Sequence, residues 1–198
     1  MSIAGLILAA GRGTRFGADK RLARLPDGRT LLEATLARHA GMSQPLLIVL
    51  RPDDEAASAL ARQHGAQVLI CDPVDQADPG MGHSLACGAR ALLAMPQVEG
   101  VVVDLVDMPS VSAETLRRVH QALRDQGRAV VPRYQGQMGQ PRGLPRACFE
   151  ALSQLRGDQG ARHLLDWQQA VHIEVDDAGI LLDIDRPADL ARLGASTT

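Results

Sequence analysis

Hydrophobic runs of strand length alternate with segments of helical periodicity along almost the whole chain. This alternation is typical of a parallel sheet wrapped by helices, because each parallel strand needs a crossover to reach the next. We therefore expect a three-layer α/β/α sandwich with a mostly parallel sheet. Strands are predicted at Ile3–Ala9, Leu46–Leu50, Gln67–Cys71, Val101–Val106 and Ala129–Pro132, with late candidates at Val171–Val175 and Leu181–Ile184.

Helices are predicted between these strands. The run Thr30-Leu31-Leu32-Glu33 has the pattern of a capping box, in which a hydroxyl and a carboxylate satisfy unpaired backbone donors, and it opens a helix to about His39. Further helices are expected at Asp53–His64, His83–Met95, Ser112–Gln126, Arg146–Leu155, Gly160–Gln168 and Pro187–Leu193. Two stretches rich in glycine, proline and polar residues, Asp72–Gly82 and Tyr134–Pro145, are predicted to be irregular and functional.

Length and composition narrow the class of protein. The 198 residues suit one substantial core, so residues 1–198 are expected to form a single domain without a repeat or linker. The formal net charge of −2, without a basic run, argues against a nucleic-acid binder. No apolar run is long enough to span a bilayer and the chain begins directly with a strand, so the cytoplasm is the expected location. Cys71, Cys87 and Cys148 are odd in number and widely spaced, which favours small core residues over disulfides or a zinc site.

The first strand runs into a glycine-rich loop that carries three positive charges, Arg12, Arg15 and Lys20. Lys20 is the only lysine among the twenty-one basic residues of the chain. Glycines allow backbone amides to approach a ligand closely, and cations neutralise phosphate charge. The loop therefore suits a polyphosphate.

Two common phosphate-binding patterns fail in this loop. The dinucleotide fingerprint GxGxxG fits Gly11 and Gly13 but requires a third glycine where Phe16 stands, and Pro26-Asp27-Gly28 interrupts the helix that it needs. The Walker pattern fails because no glycine precedes Lys20. A nicotinamide-dependent oxidoreductase is thereby excluded.

The stretch from Leu8 to Gly17, with Lys20, closely resembles the LAAGxGxRxGxxK signature of the MobA-like NTP transferases. The resemblance covers nearly the whole chain and implies a Rossmann-like fold of the nucleotide-diphospho-sugar transferase type. Within the family, the chain is most similar to molybdenum cofactor cytidylyltransferases, whose first strand ends in LAAG, whereas guanylyl-transferring relatives typically have LAGG. The further matching segments are Gly80–Leu85, Asp107–Pro109, Gly157–Arg162 and Asp183–Leu190.

The resemblance implies specific roles in nucleotide binding. Arg15 would grip the leaving phosphates with its planar guanidinium, and Lys20 would bind the α-phosphate, where charge accumulates during transfer. The backbone of Gly11, Arg12 and Gly13 would cradle the β- and γ-phosphates. Base recognition would fall to the backbone of Leu8, Ala9 and Ala10 and to Gly80, Gly82 and Ser84, although capping of a helix explains Ser84 equally well.

Magnesium is the expected cofactor, because it bridges phosphate oxygens and prefers carboxylate and water ligands. Asp107 ends an apolar strand and lies at the carboxyl edge of the sheet, so it is the leading ligand. By family analogy Asp185 completes the site, with Asp183 as its substitute, although a cap for the helix at Pro187 explains Asp185 nearly as well. Asp104 should face the other side of the sheet, and we favour a hydrogen-bonded structural carboxylate there.

The loop Tyr134–Gly143 should cover the acceptor half of the cleft, and Gly157–Arg162 should position the acceptor. Relatives commonly have Gly-His-Pro where this chain has Gly139-Gln140-Pro141, so a histidine contact cannot be carried over. Arg133 and Arg142 either attract an anionic acceptor or are ordinary surface charges.

The activity that the resemblance implies is transfer of CMP from CTP to the terminal phosphate of molybdopterin cofactor, with release of pyrophosphate and without a covalent enzyme intermediate. A molybdenum hydroxylase is the implied downstream partner. Alternatives keep the chemistry with GTP or with another phosphorylated acceptor. A non-catalytic cofactor carrier is disfavoured, because it needs neither an α-phosphate cation nor a metal ligand.

Overall fold

A computed structural model describes residues 2–11, 13, 16–71, 80–157, 160–161 and 164–195, with side chains as far as residue 191. Its centre is an eight-stranded mixed sheet with the order β3-β2-β1-β4-β7-β5-β6, in which β8 also pairs with β5. The strands are β1 (Ser2–Leu8), β2 (Leu46–Leu50), β3 (Gln67–Ile70), β4 (Val98–Leu105), β5 (Val130–Tyr134), β6 (Gln137–Met138), β7 (Arg142–Pro145) and β8 (Val171–Glu174).

The parallel part of the sheet confirms the predicted pattern. Strands β3, β2, β1 and β4 run parallel, and Gly5 lies between Leu46 and Val102 in register. Strands β1 and β2 are buried almost throughout, which explains why they read as continuous hydrophobic runs. The carboxyl ends of β1 and β4 therefore lie side by side.

Two predictions about strands were wrong. The stretch Tyr134–Pro145 is not irregular, because β6 pairs with β5 and β7 pairs antiparallel with β4. The sequence of β7 contains arginine, glycine and proline, so its backbone pairing gives no hydrophobic pattern. The late candidate Leu181–Ile184 is not a strand: a 3-10 turn occupies Ala178–Leu181, and Asp177 Oδ1 caps it by accepting from Gly179 N at 3.0 Å.

Helices cover both faces of the sheet at α1 (Leu31–Arg38), α2 (Glu55–Gln63), α3 (Gly80–Leu93), α4 (Ala113–Gln126), α5 (Phe149–Ser153) and α6 (Pro187–Ala195). The capping box is present, since Thr30 Oγ1 accepts from Glu33 N and Glu33 Oε2 accepts from Thr30 N. The helix predicted at Arg146–Leu155 is a 3-10 turn, Arg146–Cys148, followed by α5. The one predicted at Gly160–Gln168 was wrong for its described residues, where Asp166 caps a short 3-10 turn, Trp167–Gln169.

The core confirms three layers. Alternate residues of β1 point to opposite faces, so Leu6 and Leu8 pack towards α3 and α5, whereas Ile7 and Ala9 pack towards α1 and α2. A third cluster lies beneath α4. Helix α3 lies directly on β1, because a Cβ at Gly88 would be 2.5 Å from Leu6 Cδ2. The N-terminus of α3 is thereby placed over the carboxyl end of β1.

The three cysteines form no disulfide, and all of them belong to or pack against the core, as predicted. No helix in the described ranges has the length and apolarity that a membrane crossing requires.

Candidate active site

A cleft of about 220 Å³ opens at the carboxyl ends of β1 and β4, beneath the start of α3. Ligands of open α/β sheets bind at this edge. Most of the residues to which the sequence assigns nucleotide or metal binding border it. The described residues that line it include Leu8, Ala9, Ala10, Gly11, Gly13, Lys20, Gly80, Ser84 and Asp107.

Lys20 lies at the centre of this cleft and is 9% exposed. Its Nζ donates to Asp107 Oδ2 at 2.8 Å and lies 3.7 Å from Asp185 Oδ1. The stem of the side chain passes beneath Gly13, where a Cβ would lie 3.3 Å from Lys20 Cγ. One ammonium group thus lies between both of the carboxylates that the sequence assigns to a metal, and the three side chains keep a net negative charge.

The backbone of Ile184 holds the two aspartates together. Its N–H donates to Asp107 O at 2.8 Å, and its carbonyl accepts from Lys20 Nζ at 3.1 Å. Asp185 is the next residue, so it is brought to the end of β4 by a fixed peptide unit. Asp183 is exposed, and within the described residues it takes part in none of these contacts. The amides of Asp185 and Arg186 that precede α6 donate to Asp189 Oδ2, at 3.1 and 2.8 Å.

The two carboxylates fit a hard divalent cation. Their side chains are 24% and 43% exposed, so they are accessible from the cleft. Magnesium usually takes one or two carboxylates and completes its shell with water and substrate phosphates. No group of three histidine, cysteine or acidic residues suited to a metal occurs among the residues that the structure describes, so a closed protein cage is not formed by them.

The glycine-rich loop is described in part. Gly11 is exposed, and Gly13 has a φ of 55°, which a residue with a side chain adopts only under strain. Arg12 and Arg15 lie outside the described residues. Their predicted roles stay predictions.

Arg21 lines the cleft and is a residue that sequence reasoning missed. It is 2% exposed, and its guanidinium joins three segments: Nη1 donates to Ala9 O at 2.8 Å, Nε to Asp19 Oδ1 at 2.7 Å, and Nη2 to Asp54 Oδ1 at 2.6 Å. Lys20 and Arg21 are neighbours in a 3-10 turn, so their side chains diverge, one towards the cleft and the other beneath it. In the sequence, the only signal for Arg21 was its position next to another cation, Lys20, because its partner Asp54 is 33 residues away.

The cluster that Arg21 forms with Asp19 and Asp54 keeps its charges over the physiological pH range. Burial alone would raise the pKa of Asp54, but hydrogen bonds from Arg21 and Arg51 lower it to about 2. Burial would likewise lower the pKa of Arg21, but Asp54 and Asp19 raise it. The turn that carries Lys20 is therefore fastened by charges that persist across the physiological range.

Hydrogen bonds within the protein already engage several of the backbone groups to which the sequence assigns base recognition. Ala9 N donates to Val49 O at 3.1 Å while its carbonyl accepts from Arg21, and Leu8 O accepts from Val106 N at 3.4 Å. Ala10 borders the cleft and makes no backbone hydrogen bond within the described part of the chain. On the opposite wall, Gly82 N donates to Gly157 O at 2.8 Å, which ties α3 to the segment that follows α5.

A second cleft of about 320 Å³ adjoins the first and shares Leu8, Met81 and Leu105 with it. Its walls are mainly apolar, and Gln140 and Arg142 come from the stretch around β7. The Arg142 guanidinium stacks over the Trp167 ring at 4.3 Å, which orients its charge at low entropic cost. Arg133 instead lies 3.5 Å from Glu174 and donates to Gly136 O, outside this cleft.

Two adjoining clefts lie at the carboxyl edge of the sheet, and the buried lysine between two carboxylates suits a nucleotidyltransferase. The chain belongs to the MobA-like NTP transferase domain family, whose profile matches residues 5–173.

Curated relatives span most of this chain. Purine catabolism protein PucB of Bacillus subtilis is 30% identical over 93% of this chain and 92% of its own. Molybdenum cofactor cytidylyltransferase of Escherichia coli is 24% identical over 93% of this chain and 91% of its own. Molybdenum cofactor guanylyltransferase of Burkholderia vietnamiensis is 37% identical over a shorter match, 61% of this chain and 56% of its own.

The fold is shared with solved structures. Rv0371c of Mycobacterium tuberculosis, in its complex with manganese, superposes with a TM-score of 0.77 at 31% identity and covers 100% of both chains. That relative shows that a divalent metal ion is bound in a protein of this kind.

Proposed function

We propose that the protein transfers CMP from CTP to the terminal phosphate of molybdopterin cofactor and releases pyrophosphate. The observation that carries the proposal is the meeting of Lys20, Asp107 and Asp185 at the first cleft, which adjoins the second. The similarity to a molybdenum cofactor cytidylyltransferase and the alanine at position 10 support cytidine as the nucleoside.

In this reaction an oxygen of the acceptor phosphate attacks the α-phosphorus of CTP. The new P–O bond forms as the bond to the bridging oxygen breaks on the opposite side, and pyrophosphate leaves with that oxygen. Lys20 would neutralise the charge that builds up on the α-phosphate, and catalysis would come mainly from positioning and electrostatics. The backbone of Gly11, Arg12 and Gly13 and the side chain of Arg15 would hold the leaving phosphates.

Asp107 and Asp185 would hold magnesium, which would supply positive charge against the departing pyrophosphate. Both side chains offer only oxygen atoms as ligands, and Lys20 already places one positive charge between them. Asp107 and the carbonyl of Ile184 would hold the Lys20 ammonium in place for the α-phosphate.

The second cleft would take the acceptor. Its apolar floor, formed by Val103, Leu105 and Leu144, suits a flat uncharged body, while Arg142 offers a fixed cation for an anionic group. Arg133 is the weaker candidate, because it is committed to Glu174. We further propose that residues 1–198 act as one domain, in the cytoplasm, and that the product passes to a molybdenum hydroxylase.

A second candidate keeps the site and uses GTP, which the similarity to a molybdenum cofactor guanylyltransferase favours. Ala10 favours the first candidate over the second, because guanylyl-transferring relatives typically have glycine at this position.

The test is pyrophosphate release with each NTP, magnesium and molybdopterin cofactor, for the wild type and for Lys20→Ala. Arg29→Ala is the matched control, since Arg29 is an exposed cation that pairs with nearby Asp27 and is not among the described residues that line the cleft. Release with CTP that Lys20→Ala abolishes is expected. No release with any nucleotide would overturn the activity, whereas a preference for GTP would overturn only the inference from Ala10.

A further inference from the structure

A buried ion pair lies on the opposite face of β4 from the cleft. Asp104 is fully buried, as the alternation along β4 predicts, and Arg38 at the end of α1 reaches it with both Nη2, at 2.8 Å, and Nε, at 3.1 Å. His39 Nε2 lies 3.1 Å from the same carboxylate oxygen, and the other oxygen accepts from Leu105 N at 2.9 Å. Burial would raise the pKa of Asp104, but Arg38 and His39 hold it below its ordinary value.

The remaining nitrogen of the guanidinium serves a different purpose. Arg38 Nη1 donates to Val111 O at 2.9 Å, to Met108 O at 3.1 Å and to Pro109 O at 3.4 Å. All three carbonyls belong to the connection that leads from Asp107 into α4. One edge of Arg38 therefore holds the strand, and the other holds the loop that begins at Asp107.

Asp107 is fixed on both sides by these contacts. Asp104 and Leu105 precede it on β4, and the Arg38-bound carbonyls follow it within four residues. From the side, Ile184 N donates to its carbonyl at 2.8 Å. A shift of the 108–111 carbonyls would move Asp107 away from both Lys20 and Asp185.

We propose that Arg38 and Asp104 act as a positioning pair, which fixes the loop after Asp107 and so sets the geometry of the carboxylate that would hold the metal. The expected effect of the pair on metal binding rests on the proposed function, whereas its expected effect on the loop does not.

Energetics separate this role from simple stabilisation of the fold. Replacing both members of a buried ion pair by apolar side chains of similar volume is often neutral or stabilising, whereas removing one member leaves a costly buried charge. Lysine cannot replace arginine here, because a guanidinium presents five donors in a fixed plane and so reaches a carboxylate and carbonyls together. An apolar pair would leave no lone buried charge, but the loop carbonyls would lose their donor, and His39 Nε2 and Leu105 N would lose their acceptor.

The experiment therefore uses the double variant Arg38→Met with Asp104→Leu in the full chain. The control removes another arginine–carboxylate pair, Arg117→Met with Glu114→Leu, whose members are 59% and 60% exposed on α4. Two quantities are measured for each protein: the exchange rates of the amides in residues 108–112, by hydrogen–deuterium exchange, and the affinity for Mn²⁺ in the presence of CTP, by electron paramagnetic resonance.

We expect the double variant to unfold cooperatively, to exchange the 108–112 amides at least tenfold faster than the wild type, and to bind Mn²⁺ at least tenfold more weakly. The control should match the wild type in both. Unchanged exchange in the folded double variant overturns the positioning role, whatever the metal does. Faster exchange with unchanged Mn²⁺ affinity overturns the link to the metal.

If the double variant does not fold, Arg38→Lys takes its place, because it keeps the charge beside Asp104 but cannot serve the loop carbonyls in the same plane. Its loop should exchange faster, and wild-type exchange would contradict the inference. Asp107→Asn separates this inference from the proposed function: if Mn²⁺ binds that variant as it binds the wild type, the proposed metal site fails, while the exchange result still decides whether Arg38 fixes the loop.

Discussion

Lys20 donates a 2.8 Å hydrogen bond to Asp107, although 87 residues separate them along the chain. The contact joins the loop after β1 to the end of β4 and leaves the ammonium within 3.7 Å of Asp185. One lysine and two aspartates thus form a cluster with a net charge of −1, which favours the entry of a cation.

The first prediction concerns the chemistry of the cation at position 20. Lys20→Arg keeps the charge but replaces a compact ammonium by a wider planar guanidinium, so the charge would be displaced from the α-phosphate in the proposed reaction. We expect kcat to fall by about a hundredfold, since a displacement of about 1 Å costs that much. Pyrophosphate release at saturating CTP measures it. A fully active arginine variant would contradict the assigned role.

A glycine at position 13 should be required both for the backbone conformation there and for the position of the Lys20 side chain. Gly13→Ala introduces a Cβ 3.3 Å from Lys20 Cγ at a φ of 55°. Gly28→Ala is the control, because its φ of 87° imposes similar strain but its Cβ meets nothing within 4 Å. Each variant should lose about 1–2 kcal/mol of unfolding free energy. Only Gly13→Ala should lower kcat/KM for CTP, and equal kinetic losses in the two variants would rule out the contact with Lys20.

The Arg21 cluster should separate stability from activity. Arg21→Met leaves Asp54 buried without its main partner, so we expect a loss of about 3–5 kcal/mol in urea unfolding. Adding Asp54→Leu should recover most of that loss, because no lone charge is then buried. The carbonyl of Ala9 still lacks its donor in the double variant. Its kcat/KM for CTP should therefore stay low, and full recovery of kcat/KM would show that Arg21 acts on stability alone.

His120 should make the stability of the protein depend on pH. Burial, reinforced by the nearby His39 and Arg124, lowers the pKa of His120 from 6.5 to about 4. The unfolded chain therefore takes up a proton near pH 6.5, while the folded protein resists protonation until about pH 4. Stability should fall between these two values, by about 3 kcal/mol in total, and the contribution should be constant below and above them.

Urea unfolding at pH 7.5, 5.5 and 4.5 measures this dependence. His120 Nε2 is bonded to Ser43 Oγ at 2.9 Å, so His120→Gln retains a polar partner for Ser43 without titrating. The variant should lose most of the dependence between pH 6.5 and 4. An unchanged profile would assign the dependence to other groups.

Local signals predicted much of the parallel half of the fold. The run Leu46–Leu50 is a strand because it is buried on both faces, and Thr30 with Glu33 forms a capping box because its members are three residues apart. Strand β7 escaped prediction, because its partner β4 supplies the pairing and its own residues carry no alternation.

For the site too, local motifs were predictable and long-range contacts were not. Lys20, Asp107 and Asp185 were each singled out from local motifs, yet their direct contact depends on a chain path that returns to the same edge of the sheet after more than 160 residues. Arg21 was overlooked, since its importance comes from Asp54 and the carbonyl of Ala9 rather than from a motif.

The two clefts share only a narrow boundary, and most of their other walls come from different parts of the chain. The nucleotide side is built largely before Pro109, whereas Gln140, Arg142, Leu144 and Ala161 are contributed later. If the second cleft takes the acceptor, as proposed, changes in the later segment can alter which acceptor is recognised while the residues that line the first cleft stay the same.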